Sequence, residues 1–274
     1  MSQPEKIGLI AGYGSFPLEL CSLLKDAGFE VHATAVHEET SPEIEKLAAS
    51  VTWLHVGQVG GMIKAFQKCG VTQVVMAGKV RKLHLFRNFR PDWVAVKALL
   101  TLPDRKDDSI LNAIADLLAK GGIRLCSQVE YAGAMLAGEG HLFGPKVKAP
   151  VLKDIDFGFA QAKVIAGLDI GQTIIVQDGA VLAVEAIEGT DEAIKRGGEL
   201  GSGKAVVVKV AKPGQDLRFD VPAFGPDTLK VMRAHGCHAL AVEAGLTLML
   251  ERDKLAQLAK EFGISVYGVR SDAS

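Results

Sequence analysis

The sequence lacks an excess of charge of either sign. Its 274 residues include 31 Lys and Arg against 32 Asp and Glu, which gives a formal net charge of −1. A general nucleic-acid binder neutralises phosphates with a clear excess of basic residues. The charge balance therefore excludes that class of function, and no nucleic-acid partner is predicted.

The sequence also lacks a hydrophobic run long enough to cross a bilayer, which would need about 18 residues. Near the amino terminus, a short apolar run follows Lys6 and soon meets Gly12 and Gly14. This is not the pattern of a signal peptide. We therefore expect a cytoplasmic protein that at most lies on a membrane surface.

Cysteine is scarce and scattered. Cys21, Cys69, Cys126 and Cys237 are widely spaced, and no two of them form a CxxC pair. Four such residues in a chain of this length predict buried thiols in a reducing compartment rather than a disulfide framework.

The first half of the chain has the composition and patterning of an α/β protein. Hydrophobic residues make up 48% of the sequence and charged residues 23%, as in ordinary globular proteins. Short apolar runs at 7–11, 31–36 and 74–77 alternate with amphipathic segments. Strands that alternate with helices predict a parallel sheet covered on both faces. Residues 1–132 are therefore predicted to form one domain.

The pattern changes in residues 133–153, which are rich in glycine and proline and are predicted to be a linker. Beyond it, Asp178 and Gly179 stand between two apolar runs and predict a β-hairpin with a type I′ turn. Pro226 suits the first position of a helix. Residues 154–274 are predicted to form a second, mixed α/β domain.

A glycine-containing turn follows the first predicted strand. Gly12 and Gly14 allow the backbone to approach a ligand closely, and the following helix would present free N–H groups to a phosphate. Pro17 stands where the dinucleotide-binding fingerprint has its third glycine. Phosphate contact and a simple tight turn both remain open.

Residues 79–90, KVRKLHLFRNFR, form a basic segment with five Lys and Arg residues and no acid. Leucine and phenylalanine are interleaved with these charges. The mixture favours contact with an anionic, partly apolar ligand or with an anionic membrane surface. A solvated basic face is the alternative.

Two acidic stretches, 185–191 and 212–228, place carboxylates where predicted strands give way to turns. Clustered carboxylates suit hard cations such as Mg²⁺. Thr190, Asp191 and Asp227 could equally serve as helix caps or turn formers.

Asp220 has no helix to cap, and it lies between Phe219 and Pro222. We expect its carboxylate, in that apolar setting, to need a metal ion or a cationic partner.

Taken in order, several segments resemble the LpxI-type UDP-2,3-diacylglucosamine pyrophosphatases of lipid A biosynthesis. These segments are LIAGYGSFP (9–17), GKVR (78–81), KDD (106–108), DIGQ (169–172), EAIEGTD (185–191), KPGQDLRFD (212–220) and EAG (243–245). The similarity extends over nearly the whole chain, and the ordered set is far more specific than any single motif.

The resemblance implies metal-dependent hydrolysis of UDP-2,3-diacylglucosamine to 2,3-diacylglucosamine 1-phosphate (lipid X) and UMP, usually with Mg²⁺. Water would attack the phosphorus on the sugar side, although the residues themselves leave the choice of phosphorus open. The implied fold is an N-terminal Rossmann-like domain with a C-terminal α/β catalytic domain and the lipid held between them. The expected partners are the acylated UDP-sugar, the inner membrane surface through peripheral contact, and a second copy in a homodimer.

Asp220 matches the essential aspartate of that family by its Asp-x-Pro setting, and Asp227 is a rival in the same loop. The predicted catalytic residues are Asp220, Asp227 and Arg218, and the predicted metal ligands are Asp220, Glu188 and Asp191. The predicted substrate-binding residues are Gly12, Gly14, Lys79, Arg81, Thr190, Lys212 and Gln215.

Two other classes of function remain open from the sequence. One is a nucleotide-dependent sugar-nucleotide oxidoreductase, against which the missing third glycine argues. The other is a non-catalytic, peripheral membrane lipid-binding protein built around residues 79–90.

Overall fold

The computed structural model describes residues 4–81, 89–102, 104 and 107–271. The chain divides into two compact units. The first comprises residues 1–132 together with Leu217–Phe219, and the second comprises residues 133–216 and 220–274.

The first unit contains a five-stranded parallel sheet with the order β3-β2-β1-β4-β5. Its strands are β1 (Lys6–Ala11), β2 (Glu30–Val36), β3 (Ser50–Leu54), β4 (Gln73–Ala77) and β5 (Arg124–Leu125). Its described helices are α1 (Phe16–Asp26), α2 (Ile44–Leu47), α3 (Val59–Cys69), α4 (Trp93–Thr101), α5 (Asp107–Lys120) and α6 (Gln128–Tyr131).

The direction of winding reverses at β1, which pairs with β2 on one side and β4 on the other. Ligands of open α/β sheets bind outside the carboxyl ends of the strands at such a reversal. Helices α3 and α5 cover the sheet with Phe66 and Leu118, which are buried in one apolar cluster with Val74 of β4. Burial on both faces explains the continuous apolar run of β1.

The second unit contains a six-stranded mixed sheet with the order β6-β13-β11-β9-β7-β8 and a short parallel pair, β10 and β12. Its strands are β6 (Gly140–Phe143), β7 (Thr173–Gln177), β8 (Ala180–Val184), β9 (Ala205–Lys209), β10 (Ala223–Phe224), β11 (Cys237–Glu243), β12 (Leu248–Met249) and β13 (Ser265–Val269). Its described helices are α7 (Ala149–Gly167), α8 (Thr190–Leu200), α9 (Pro226–Ala234) and α10 (Arg252–Phe262), after a 3₁₀ turn at Gly133–Met135.

Both faces of this sheet are buried, as the alternation along β9 shows. Val207 packs into one apolar cluster with residues of α8, α9 and α10, whereas Val206 and Val208 pack into another with residues of α7. Successive strand residues point to opposite faces. The β-branched run of β9 therefore supplies two cores at once, and it brings the end of the strand to a defined position.

The expected α/β fold class is confirmed, with a parallel sheet in the first unit and a mixed sheet in the second. The hairpin prediction is also confirmed, because β7 and β8 pair antiparallel around Asp178 (φ 51°) and Gly179 (φ 74°). Pro226 begins α9, as predicted.

The predicted linker is corrected by the structure. Within residues 133–153, β6 pairs with β13 and α7 begins, so this stretch belongs to the second unit. Its glycine and proline have packing roles: a Cβ on Gly144 would lie 1.9 Å from the carbonyl oxygen of Ile264. Pro150 lies in the first turn of α7, where proline is well tolerated.

The four cysteines are free thiols. Cys21, Cys126 and Cys237 are buried and Cys69 is half-buried, so the expectation of buried thiols holds for three of them. None of the helices in the described ranges is both long and apolar enough to span a bilayer.

Candidate active site

Charged residues gather at one edge of the six-stranded sheet, where β9 and its parallel neighbour β11 end. Lys209 is the last residue of β9, and Glu243 is the last of β11. Strand β8 runs in the same direction and leads directly into Glu185. Thr173 begins the antiparallel strand β7 and pairs with Lys209. Residues that are far apart in the sequence therefore meet at this edge.

Lys209 is a buried cation, with 6% of its surface exposed. Its Nζ donates a hydrogen bond to Thr190 Oγ1 (3.1 Å), which in turn donates to Glu185 Oε1 (2.7 Å). Burial lowers the pKa of the Lys209 ammonium, and the carboxylates of Glu185, Asp220 and Asp191 oppose that lowering. The site thus holds one ammonium within electrostatic range of three acids.

Several buried polar atoms beside this lysine have no protein partner in the part of the chain that the structure describes. They are Oε2 of Glu185, Oγ1 of Thr173 and Oε1 of Gln172, the residue before β7. A buried polar atom left without a hydrogen bond costs about 1–3 kcal/mol. These atoms therefore retain the capacity to bind a polar ligand or water.

Asp220 lies in the loop between β9 and β10, and its position differs from the expectation. The expected apolar setting is wrong: Val221 and Pro222 are buried, but Asp220 itself is exposed. The cause is the turn before it, where the side chain of Gln215 accepts a hydrogen bond from the Lys212 backbone N–H (3.0 Å) and donates one to Asp220 Oδ2 (2.5 Å). The carboxylate is thereby held in a fixed direction at the surface, near enough to influence Lys209.

The two other cations of this loop have partners of their own. Lys212 Nζ lies 2.6 Å from Asp169 Oδ1, in an ion pair that is open to solvent. Arg218 belongs to the segment that packs with the first unit, where it donates to Asn112 Oδ1 (3.0 Å) and its guanidinium lies over the Phe219 ring. The side chain of Gln215 holds Asp220, and its predicted contact with substrate stays a prediction.

Asp227 lies at the start of helix α9. It lies in the first turn of α9, almost fully exposed, and pairs with Lys230 at 2.7 Å. The hydrogen bond from Lys230 holds the pKa of the Asp227 carboxyl below its usual value. Acidic residues are favoured in the first turn of a helix. The helix start and the ion pair with Lys230 account for Asp227, and its catalytic role stays a prediction.

The three predicted metal ligands do not converge. Glu188 is paired with Arg196 (2.5 Å), and hydrogen bonds to the carboxylate from its own backbone N–H and from Arg196 lower the Glu188 pKa. Asp191 lies in the first turn of α8 and acts on Lys209. Across the described ranges, no group of three or more His, Cys, Asp or Glu residues is arranged to hold a metal ion.

In the first unit, the glycine turn packs against the chain itself. Gly12 N–H donates to Ala77 O (2.9 Å) and Tyr13 N–H donates to Lys79 O (2.7 Å). A Cβ on Gly12 would lie 2.7 Å from that same carbonyl of Lys79, so only glycine fits. Gly14 has a positive φ of 107°, which glycine adopts without strain. The turn reading therefore accounts for these glycines, and phosphate contact stays a prediction.

Arg81 has an internal partner, whereas Lys79 is exposed. The backbone N–H and Nε of Arg81 donate to the two carboxylate oxygens of Glu39 (3.1 and 3.0 Å), a side chain that is fully buried. The guanidinium also lies 4.3 Å from the centre of the Tyr13 ring. Arg81 therefore neutralises a buried acid, and the rest of the predicted basic segment, 82–88, lies outside the described residues.

A histidine pair at the carboxyl end of β2 and β3 was not anticipated. The rings of His37 and His55 lie 4.6 Å apart, with Trp53 stacked on His37. Partial desolvation and the nearby Arg90 lower the pKa of His55.

Sequence reasoning also missed Lys209, and it named Glu185 only as part of the acidic stretch 185–191 that suits hard cations. One signal was present: a single lysine closes the run AVVVK, where a buried strand would continue with an apolar residue.

The model of the LpxI N-terminal domain matches residues 6–135, and that of the LpxI C-terminal domain matches residues 138–267. The chain belongs to the LpxI family. The resemblance drawn from the ordered motifs is therefore confirmed.

A curated LpxI relative matches almost end to end. It is the UDP-2,3-diacylglucosamine pyrophosphatase LpxI of Caulobacter vibrioides, which is 33% identical over 276 residues, covering 96% of this chain and 97% of the relative. The two family domains meet close to the division between the compact units.

Two solved structures show a distant likeness to the chain. CobK precorrin-6A reductase has a TM-score of 0.30 at 14% identity, covering 98% of this chain and 89% of that one. The biotin carboxylase domain of Hydrogenobacter thermophilus 2-oxoglutarate carboxylase has a TM-score of 0.28 at 14% identity, covering 66% of this chain. This chain spans 36% of the length of that second protein, and neither likeness bears on function.

Proposed function

We propose that this chain hydrolyses the pyrophosphate bond of UDP-2,3-diacylglucosamine to give 2,3-diacylglucosamine 1-phosphate and UMP. The observation that carries the proposal is the 33% identity to the UDP-2,3-diacylglucosamine pyrophosphatase LpxI of Caulobacter vibrioides, over 97% of that relative's length. Family membership favours this hydrolase over the sugar-nucleotide oxidoreductase and over the non-catalytic lipid-binding protein.

The chemistry of the sheet edge supports this reaction. A diphosphate is anionic, and splitting it needs positive charge at the phosphate oxygens and a positioned water. Lys209 offers a charge that is largely removed from solvent. Electrostatic interactions are stronger in such buried surroundings than in water. Asp220, held by Gln215, offers a carboxylate that can orient a water and accept its proton. The water oxygen would bond to one phosphorus while the bridging P–O bond breaks, with no covalent intermediate on the protein.

Mg²⁺ is part of the proposal as the ion that would neutralise charge on the diphosphate. Mg²⁺ is commonly bound by one or two carboxylates together with substrate phosphates, so a complete cage of protein ligands is not required. Asp220 fits this use, because its Oδ1 has no protein partner among the described residues. Glu188, which is paired with Arg196, fits less well.

The proposal is tested by comparing Asp220→Asn with the matched control Asp227→Asn. We expect Asp220→Asn to lose UMP release by a factor of about 100 or more while its circular dichroism stays normal. Asp227→Asn should retain activity within a factor of about two, since its partner Lys230 is a surface group. Near-normal turnover in Asp220→Asn would remove this residue from the mechanism. Activity that survives exhaustive EDTA treatment would exclude Mg²⁺ from the proposed mechanism.

The attacked phosphorus can be identified by hydrolysis in ¹⁸O-labelled water. Label in the lipid product means attack on the sugar-side phosphorus, as the family resemblance implies, and label in UMP means attack on the uridine side. Cytoplasmic location and a homodimer remain predictions.

A further inference from the structure

Helix α4 is an apolar helix that lies partly on the surface. Its sequence, WVAVKALLT, contains one charged residue, Lys97. A helix that is apolar on all sides is normally buried. Here Trp93 and Leu100 have 79% and 81% of their surfaces exposed. These residues and Lys97 are four and three positions apart, so all three share one face of the helix. We call this the outer face of α4.

The opposite side of α4 is apolar as well. Ala95, Ala98 and Leu99 line a cavity of about 130 Å³, and all of its lining residues are apolar. Ile110 and Ile114 of α5 form part of the facing wall. The helix thus has apolar surroundings behind it and an exposed apolar face in front.

The charges around α4 indicate what covers its outer face. Arg90 precedes the helix by three positions, and the side chain of Asp92 is engaged as its N-cap. Arg90 and Lys97 are exposed. A symmetric contact between two copies would bring the same patch against itself, so that Lys97 would face like charge. An anionic lipid surface offers the complementary charge, and tryptophan is favoured at that interface.

We propose that the outer face of α4, defined by Trp93, Lys97 and Leu100, docks on an anionic lipid surface. Trp93 and Leu100 enter the boundary between headgroups and acyl chains, and Lys97 pairs with lipid phosphates. The proposal deepens the proposed function, because a diacylated substrate resides in a membrane. It concerns residues of the first unit, whereas Asp220 and Lys209 belong to the second, and its test does not require hydrolysis.

Vesicle sedimentation of the full chain tests the docking. Wild-type protein should bind vesicles that contain phosphatidylglycerol and should bind vesicles of phosphatidylcholine alone much more weakly. The double variant Trp93→Ala/Leu100→Ala should bind about a hundredfold more weakly, since each of the two buried apolar side chains contributes about one power of ten. The matched control is Leu168→Ala/Leu200→Ala, which removes residues that are 64% and 67% exposed in the second unit. It should bind like the wild type.

Fluorescence reports the position of the helix directly. The chain contains two tryptophans, Trp53 and Trp93, so Trp53→Phe leaves Trp93 as the sole emitter. Its emission should shift to the blue and be quenched by brominated lipids on addition of anionic vesicles. Unchanged emission, equal binding to both vesicle types, or equal loss in the control variant would overturn the proposal. A dimer that the double variant dissociates, without any loss of vesicle binding, would assign the face to a second copy instead.

Hydrolysis in detergent micelles separates this inference from the proposed function. The double variant should cleave micellar substrate as the wild type does, because it retains Asp220 and Lys209. Wild-type protein that binds vesicles but cleaves no substrate would refute the hydrolase and leave the docking intact. Cleavage in micelles without any vesicle binding would refute the docking and leave the hydrolase intact.

Discussion

Replacing Thr190 with valine should destabilise the second unit by removing one hydroxyl. The side chain keeps its shape but loses the hydrogen bond to Glu185 Oε1 (2.7 Å) and the one from Lys209 Nζ (3.1 Å). Hydrogen bonds to charged groups contribute about 1.5–3 kcal/mol each. Thr190 is half-buried, so hydrogen bonds to water can replace part of the lost stabilisation. We therefore expect a loss of about 2–3 kcal/mol in the free energy of unfolding.

Urea unfolding of Thr190→Val and Thr190→Ser measures this effect. The serine variant retains the hydroxyl and should lose less than about 1 kcal/mol, because only a methyl group is removed. If the free energies of unfolding of the two variants agree within about 0.5 kcal/mol, the hydroxyl does not link Lys209 to Glu185. The described hydrogen-bond network would then be wrong.

The same pair of variants has a pH signature. Burial lowers the folded-state pKa of Lys209. Between that pKa and the unfolded value of about 10.4, the unfolded chain binds more protons, so stability rises with pH. Loss of the acceptor oxygen should lower the pKa further, so the rise should begin at lower pH in Thr190→Val than in Thr190→Ser. Identical pH profiles would contradict this account.

Two further predictions concern groups outside the sheet edge. Arg81→Ala leaves the fully buried Glu39 carboxylate without its cation and should cost about 3 kcal/mol in urea unfolding; a cost no larger than that of Lys79→Ala, an exposed neighbour, would contradict the ion-pair role. Burial raises the pKa of Cys21 and Cys237 to about 11. Iodoacetamide at about pH 8 should therefore modify half-buried Cys69 first in the folded protein, and peptide mapping that finds Cys237 modified equally fast would disprove it.

Elements with a clear local signal could be predicted from the sequence. The hairpin at Asp178 and Gly179 depends on a turn type that two adjacent residues select. Residues 133–153 show the limit of the same reasoning, since their glycines and prolines mark close packing and a helix start. Helix α4 received no prediction, because a segment that is apolar on all sides shows no helical period.

The candidate site was predictable only in part. The motif 212–220 led to Asp220, yet its exposure depends on the clamp that Gln215 makes within the folded loop. Lys209 was missed because a lysine at the end of a strand acquires meaning only when the strand is buried on both faces. Its partner Thr190 is 19 residues away.

By itself, the sequence determined the alternation of strands and helices, the tight turns and the family, because each follows from neighbouring residues or from motif order. Only the tertiary structure decided which charges are paired. Lys79 and Arg81 are similar cations two positions apart, and the fold gives Arg81 a buried acid 42 residues away while it leaves Lys79 in solvent. Burial and hydrogen-bond partners arise from contacts between distant segments, and these contacts exist only once the chain has folded.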